Sequence, residues 1–151
     1  MQFKNLKIVF LGLCDQAQLQ QCYAEADLFV FPTRSDEWGL VPIEAWASGI
    51  PVLGSQYAQS VETVCKNGHN GWVFDIYDRE QTEEKIVEAL ATSTSQLQEM
   101  SANARESVVQ FTGANSAILL CEAINTISGA SDSAEPVTVA AKAPVAGNQL
   151  K

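Results

Sequence analysis

Short, continuously apolar runs alternate with helix-patterned segments over the first half of the chain. Lys7-Ile8-Val9-Phe10-Leu11-Gly12 is apolar throughout and ends in glycine, which predicts a buried parallel strand. Ala17, Leu19, Cys22, Tyr23 and Ala26 then recur at helical spacing between Asp15 and Asp27, and Leu28 to Phe31 is the next apolar run. Together these make a βαβ unit. A helix from Val41 or Pro42 to Ser48 leads into Pro51-Val52-Leu53-Gly54, and a short helix near Ser60 to Lys66 leads through a turn at Gly68 into Trp72-Val73-Phe74.

After Asp75 the pattern becomes helical. Asp78 is a good N-cap with Gln81 three residues on, a capping-box pattern, and Ile86, Val87 and Leu90 follow on one face. Residues from about Ser95 to Phe111 and from Ala114 to Ile127 predict two further helices packed over the sheet. The expected fold class is α/β, a Rossmann-like parallel sheet with flanking helices and a helical C-terminal end. From Gly129 the chain is Ala, Ser, Pro and Val without an amphipathic period, which predicts a disordered tail. The expected organisation is one domain over 1–128 and the tail over 129–151.

Composition narrows the function classes. With 151 residues, 46% of them apolar, one globular domain is expected. A net charge of −9 and scattered Lys and Arg give no basic footprint, so nucleic acid is not an expected partner. Apolar stretches such as Ile8 to Cys14 fall short of the roughly 20 residues that cross a bilayer, and Met1-Gln2-Phe3-Lys4 does not begin a signal peptide. Cys14, Cys22, Cys65 and Cys121 show no metal or redox spacing; reduced thiols, no metal, no cofactor and a cytoplasmic location are expected. His69 lies in the turn-like Asn67-Gly68-His69-Asn70-Gly71 and reads as an exposed loop residue, while Asp75 and Asp78 read as strand-end and N-cap acids.

The chemistry concentrates between Ser35 and Gly49. That segment carries Asp36 before a Trp38-Gly39 turn and Glu44 inside the helix that follows. The free N–H groups of a first helical turn, with the helix dipole behind them, suit phosphate or sugar oxygens. Gly39 lets a ligand approach the backbone, and carboxylates flanking it accept hydrogen bonds from hydroxyls. Trp38 reads as a residue shaping the turn, Trp46 and Trp72 as core, and Arg34 as a surface ion-pair residue.

Phe10-Leu11-Gly12, then Ala26 to Thr33, then Asp36 to Gly49 resemble the C-terminal domain of GT-B fold, family 4 retaining glycosyltransferases. Pro51-Val52-Leu53-Gly54-Ser55, Glu62 and Asn67-Gly68-x-Asn70-Gly71-Trp72-Val73-Phe74 follow in that family's order, so the resemblance runs from Ile8 to about Ile127. It implies a nucleotide-diphosphate sugar as donor and hexosyl transfer to an acceptor with retention at the anomeric carbon. Carried over, Glu44 binds the ribose, and Asp36, or the adjacent Glu37, faces the donor sugar. Backbone N–H groups of Gly39, Leu40 and Val41 lie against sugar and diphosphate, and the loop at Cys14 touches the base. No catalytic residue is assigned with certainty, because the family's proposal has the leaving phosphate help deprotonate the acceptor hydroxyl.

The resemblance also implies what is missing. The family's diphosphate-binding Arg and Lys lie in strands preceding Lys7, and its acceptor site lies in a further N-terminal domain. The expectation is therefore a truncated part of an enzyme for carbohydrate biosynthesis, inactive alone. In a doubly wound order 3-2-1-4-5-6 the Ile8 strand would lack its neighbours. Either it re-pairs with the Leu28 strand, or an edge and apolar surface stay open to a partner chain. The alternative function is a non-catalytic remnant that pairs with such a partner. A free-standing nucleotide-binding domain is disfavoured, since no G-x-G-x-x-G or phosphate loop occurs.

Overall fold

The computed structural model describes residues 6–128. The expected tail from Gly129 lies outside them. The chain divides into two compact units, Met1–Val108 and Val109–Lys151.

The first unit holds a parallel sheet of three strands in the order β1-β2-β3, formed by Phe29–Phe31, Val52–Ser55 and Gly71–Phe74. Sequential parallel neighbours correspond to one half of a doubly wound sheet. Each helix starts for a local reason. For α1, Gln16–Glu25, Asp15 accepts from the Gln18 N–H at 2.9 Å and the Gln18 side chain accepts from the Asp15 N–H, a full capping box. The N-cap of α4, Arg79–Ala91, is Asp78 as expected, but the Gln81 side chain reaches the Asp75 N–H at 2.6 Å instead of closing the box. The helices α2, Leu40–Ala47, and α3, Gln59–Val64, fill the crossovers between strands.

Both faces of the sheet are covered, as a parallel sheet requires. Leu53, Trp72 and Phe74 form a core cluster with Ala89 of α4 and Met100 of α5, Thr94–Val108. On the other face, Val61 of α3 packs so closely over Gly54 that a Cβ there would lie 2.6 Å from it. Trp46 and Trp72 are fully buried, as expected of core residues, and Trp46 Nε1 donates to the Asn70 carbonyl at 2.9 Å. At the C-terminal end of α2, the Arg105 guanidinium donates to the Ser48 carbonyl at 3.3 Å, a cation on the negative helix end.

One expectation fails. Residues 6–12 carry no strand, and Ile8, Val9, Phe10 and Leu11 are exposed, Phe10 at 93%. The run does not re-pair with β1; among the described residues β1 has β2 as its only strand neighbour. An apolar run gains strand structure only where a neighbour accepts its backbone groups and covers its side chains, and here nothing does. The outer edge of β1 stays open, with Val30 at 49% exposure.

In the second unit, α6, Gly113–Ser128, exposes Ile118, Leu119, Leu120, Ile124 and Ile127. The stretch Thr94–Ile127 contains an 18-residue window of mean hydropathy 1.2 that is 6% buried. Length and composition of this kind are weak signals, shared by core helices, and show no membrane span.

Candidate functional site

Parallel strands bring their C-terminal ends to one side of the sheet, and Asp36 lies there, in the loop that follows β1. From Phe31 the chain crosses this edge as a loop before α2 begins at Leu40. The loop is stitched to the segment following β2. The Asp36 N–H donates to the Tyr57 carbonyl at 3.0 Å, the Gln59 N–H to the Asp36 carbonyl at 3.3 Å, and the Ser60 N–H to the Trp38 carbonyl at 2.8 Å. A β-bridge between Asp36 and Ala58 extends the β1–β2 pairing past the strands. The loop is thus held by the sheet's own continuation.

Asp36 is half-buried and its Oδ1 accepts from the Trp38 N–H at 3.1 Å, a local turn in which the side chain mimics backbone. That oxygen shapes the loop. Glu37, one residue on, is exposed. Arg34 is also exposed and takes part in neither ion pair among the described residues, so the expected surface pair is not formed.

Gly39 caps α2 with φ of +81°, the left-handed region, and no side chain caps the helix. A Cβ at Gly39 would stand 2.9 Å from Ser60 Oγ and 3.5 Å from Phe31 Cε1. Conformation and space both demand glycine. Leu40 and Val41 occupy the first turn, where amides lack intrahelical partners, and the positive end of the helix dipole points out there. Beneath this turn lies the Ser60 hydroxyl, buried and without a hydrogen-bond partner among the described residues.

Glu44 follows Leu40 by four residues and Val41 by three, so all three share a face, and its side chain leans back toward the helix start. Its Oε2 accepts from the Tyr23 hydroxyl of α1 at 3.2 Å. Burial first and the Glu44 charge second push the Tyr23 phenol up to about 12. Tyr23 was read from sequence only as part of a helix face; a polar tip within an apolar spacing was the available signal. Cys14 is half-buried and its thiol turns to the Gly12 carbonyl at 4.0 Å. His69 is an exposed loop residue as expected, its carbonyl accepting from Asn103 at 3.1 Å. No cluster of three or more His, Cys, Asp or Glu side chains suits a metal among the described residues.

Cavity volume does not mark this edge. Hollows of about 390 and 410 Å³ lie at the opposite, N-terminal ends of the strands, the first around His69 and Trp72, the second around Asp27 and Pro51. A smaller groove of about 280 Å³ runs between α1 and α2 and includes Tyr23 and Glu44.

The family model for glycosyl transferases group 1 matches residues 2–107. The chain belongs to this family. The sulfoquinovosyl transferase SQD2 of Arabidopsis thaliana is 33% identical over 86 residues, 56% of this chain and 17% of that protein. The structure of sucrose-phosphate synthase from Thermosynechococcus elongatus superposes with a TM-score of 0.67 at 26% identity, covering 82% of this chain and 31% of that one. WaaG, a glycosyltransferase involved in lipopolysaccharide biosynthesis, gives 0.53 at 26% identity, covering 72% and 28%. The α/β sheet is therefore that of a GT-B glycosyltransferase domain, and the chain spans less than a third of the length of these three relatives. Sugar transfer is the activity class of the family.

Proposed function

We propose that this chain supplies the donor side of a retaining glycosyltransferase. The observation that carries the reading is the junction of the Asp36–Gly39 loop with the uncapped start of α2 at the C-terminal edge of the sheet. A nucleotide-diphosphate sugar would lie across it. Amides of Gly39, Leu40 and Val41 would meet sugar and diphosphate oxygens, aided by the dipole. The other oxygen of Asp36, or Glu37, would take sugar hydroxyls, Glu44 the ribose hydroxyls, and the Cys14 loop the base. Arg34, exposed on the same loop and in no ion pair among the described residues, would be a cation within the chain for the diphosphate.

Hexosyl transfer with retention would follow from holding the donor while its leaving phosphate accepts the acceptor's proton. The remaining positive charge and the acceptor site would lie outside the residues given, so these residues by themselves would bind donor weakly and turn over little or nothing. A cytoplasmic location fits its free thiols.

The test is calorimetric titration with nucleoside diphosphates and nucleotide sugars, repeated on Glu44→Ala. Binding that drops at least tenfold in the variant supports the reading; equal affinity in both proteins sinks it. A second reading, a non-catalytic domain docked on a partner chain, is favoured by the open β1 edge and the exposed run Leu6–Leu13. It predicts capture of a partner with no nucleotide binding.

A further inference from the structure

Glu44 is exposed on α2, and an exposed glutamate samples many rotamers unless something holds it. What holds it here comes from another element. Tyr23 stands on α1, and its hydroxyl meets Glu44 Oε2 at 3.2 Å, long enough for an O–H···O contact to tighten. The phenol is itself anchored. Its ring lies 6.1 Å from that of Phe29 at a tilt of 54°, and Phe29 stacks on Phe31 at 6.1 Å. A row of aromatic rings thus runs from the first strand to the Glu44 carboxylate, with a donor at its end.

We propose that Tyr23 is a positioning residue for Glu44, and that through it α1 forms part of the site for the ribose of a nucleotide. This rests on the reading of Glu44 given above. With Oε2 held by the phenol, Oε1 and the remaining lone pairs stay available to the ribose diol, and the side chain loses little further freedom on binding. The groove beside the pair, about 280 Å³ and lined also by Gln16, Leu19 and Gln20, gives the nucleoside room against α1. Since the Tyr23 phenol is pushed up to about 12, it remains a neutral donor through the neutral pH range.

The experiment is a double-mutant cycle on the full chain, with uridine, guanosine and adenosine diphosphates and inorganic pyrophosphate as probes. Tyr23→Phe keeps the ring and removes the donor. It should weaken the best-bound nucleoside diphosphate about tenfold, the equivalent of about 1.4 kcal/mol. Pyrophosphate, which has no ribose, should bind as before. In a Glu44→Gln background, Tyr23→Phe should add little. Equal nucleotide affinity in Tyr23→Phe and wild type, an equal loss for pyrophosphate, or full additivity with Glu44→Gln would each overturn the inference while leaving donor binding intact. Failure of the wild-type chain to bind any nucleotide would overturn the donor-site reading itself, and the inference with it. Ultraviolet titration keeps the pair testable if Tyr23→Phe does not fold. Glu44→Gln should let Tyr23 ionise at lower pH, and an unchanged phenol titration would refute the contact.

Discussion

Two apolar runs of similar composition met opposite fates. Pro51-Val52-Leu53-Gly54 lies buried at the centre of the sheet, while Ile8-Val9-Phe10-Leu11 is exposed and forms no strand. Nothing in their local propensities separates them. The first is flanked by β1 and β3, which take up its amides and carbonyls, and is covered on both faces. The second has neither neighbour nor cover among the described residues. A strand is a property of a place in a sheet before it is a property of a run of residues.

That contrast is open to mutation. The largest effect belongs at the covered end: Trp46→Ala removes a fully buried indole and its bond to Asn70, and should lose about 3–5 kcal/mol in urea unfolding. Next comes Gly39→Ala, which forces a side chain to positive φ against Ser60. It should lose about 1–3 kcal/mol and weaken nucleotide binding together, because the same turn presents the α2 amides. If stability falls and binding does not, the turn is structural only.

A pH series probes the covered region without a bulky change. Burial pushes the Cys65 thiol from 9.0 up to about 12. Between those values the unfolded chain releases a proton that the folded chain retains, so the contribution is full below pH 9 and is lost as pH rises toward 12. Cys65→Ala should therefore flatten the alkaline fall in melting temperature. The smallest effect belongs at the uncovered run. Phe10→Ser should change stability by no more than about 0.5 kcal/mol, since the ring is already in water. A larger loss would mean that residues 6–12 are covered in solution, which would erase the contrast between the two runs.

Most of the site could be read in advance at the level of its backbone. Asp36, Gly39 and Glu44 occupy the loop and helix that their spacing predicted, α1 follows Asp15, and α4 starts at the Asp78 cap that the sequence predicted. What could not be read were the contacts between distant segments. Tyr23 and Glu44 are 21 residues apart, and Ser60 meets the Gly39 turn only because α3 folds under it. The stitching of Asp36 to Tyr57 and Gln59 likewise depends on β1 and β2 lying side by side.

Sequence by itself determined the order of elements from α1 onward, the family, and the segment where the candidate site lies. These follow from periodicity, capping and motif spacing, which act over a few residues. Only the tertiary structure decided that the Ile8 run stays outside the sheet, that the Ser60 hydroxyl has no hydrogen-bond partner among the described residues, and that Glu44 is held from α1. Each of those outcomes depends on which groups are neighbours in space, and burial and hydrogen bonding are settled there.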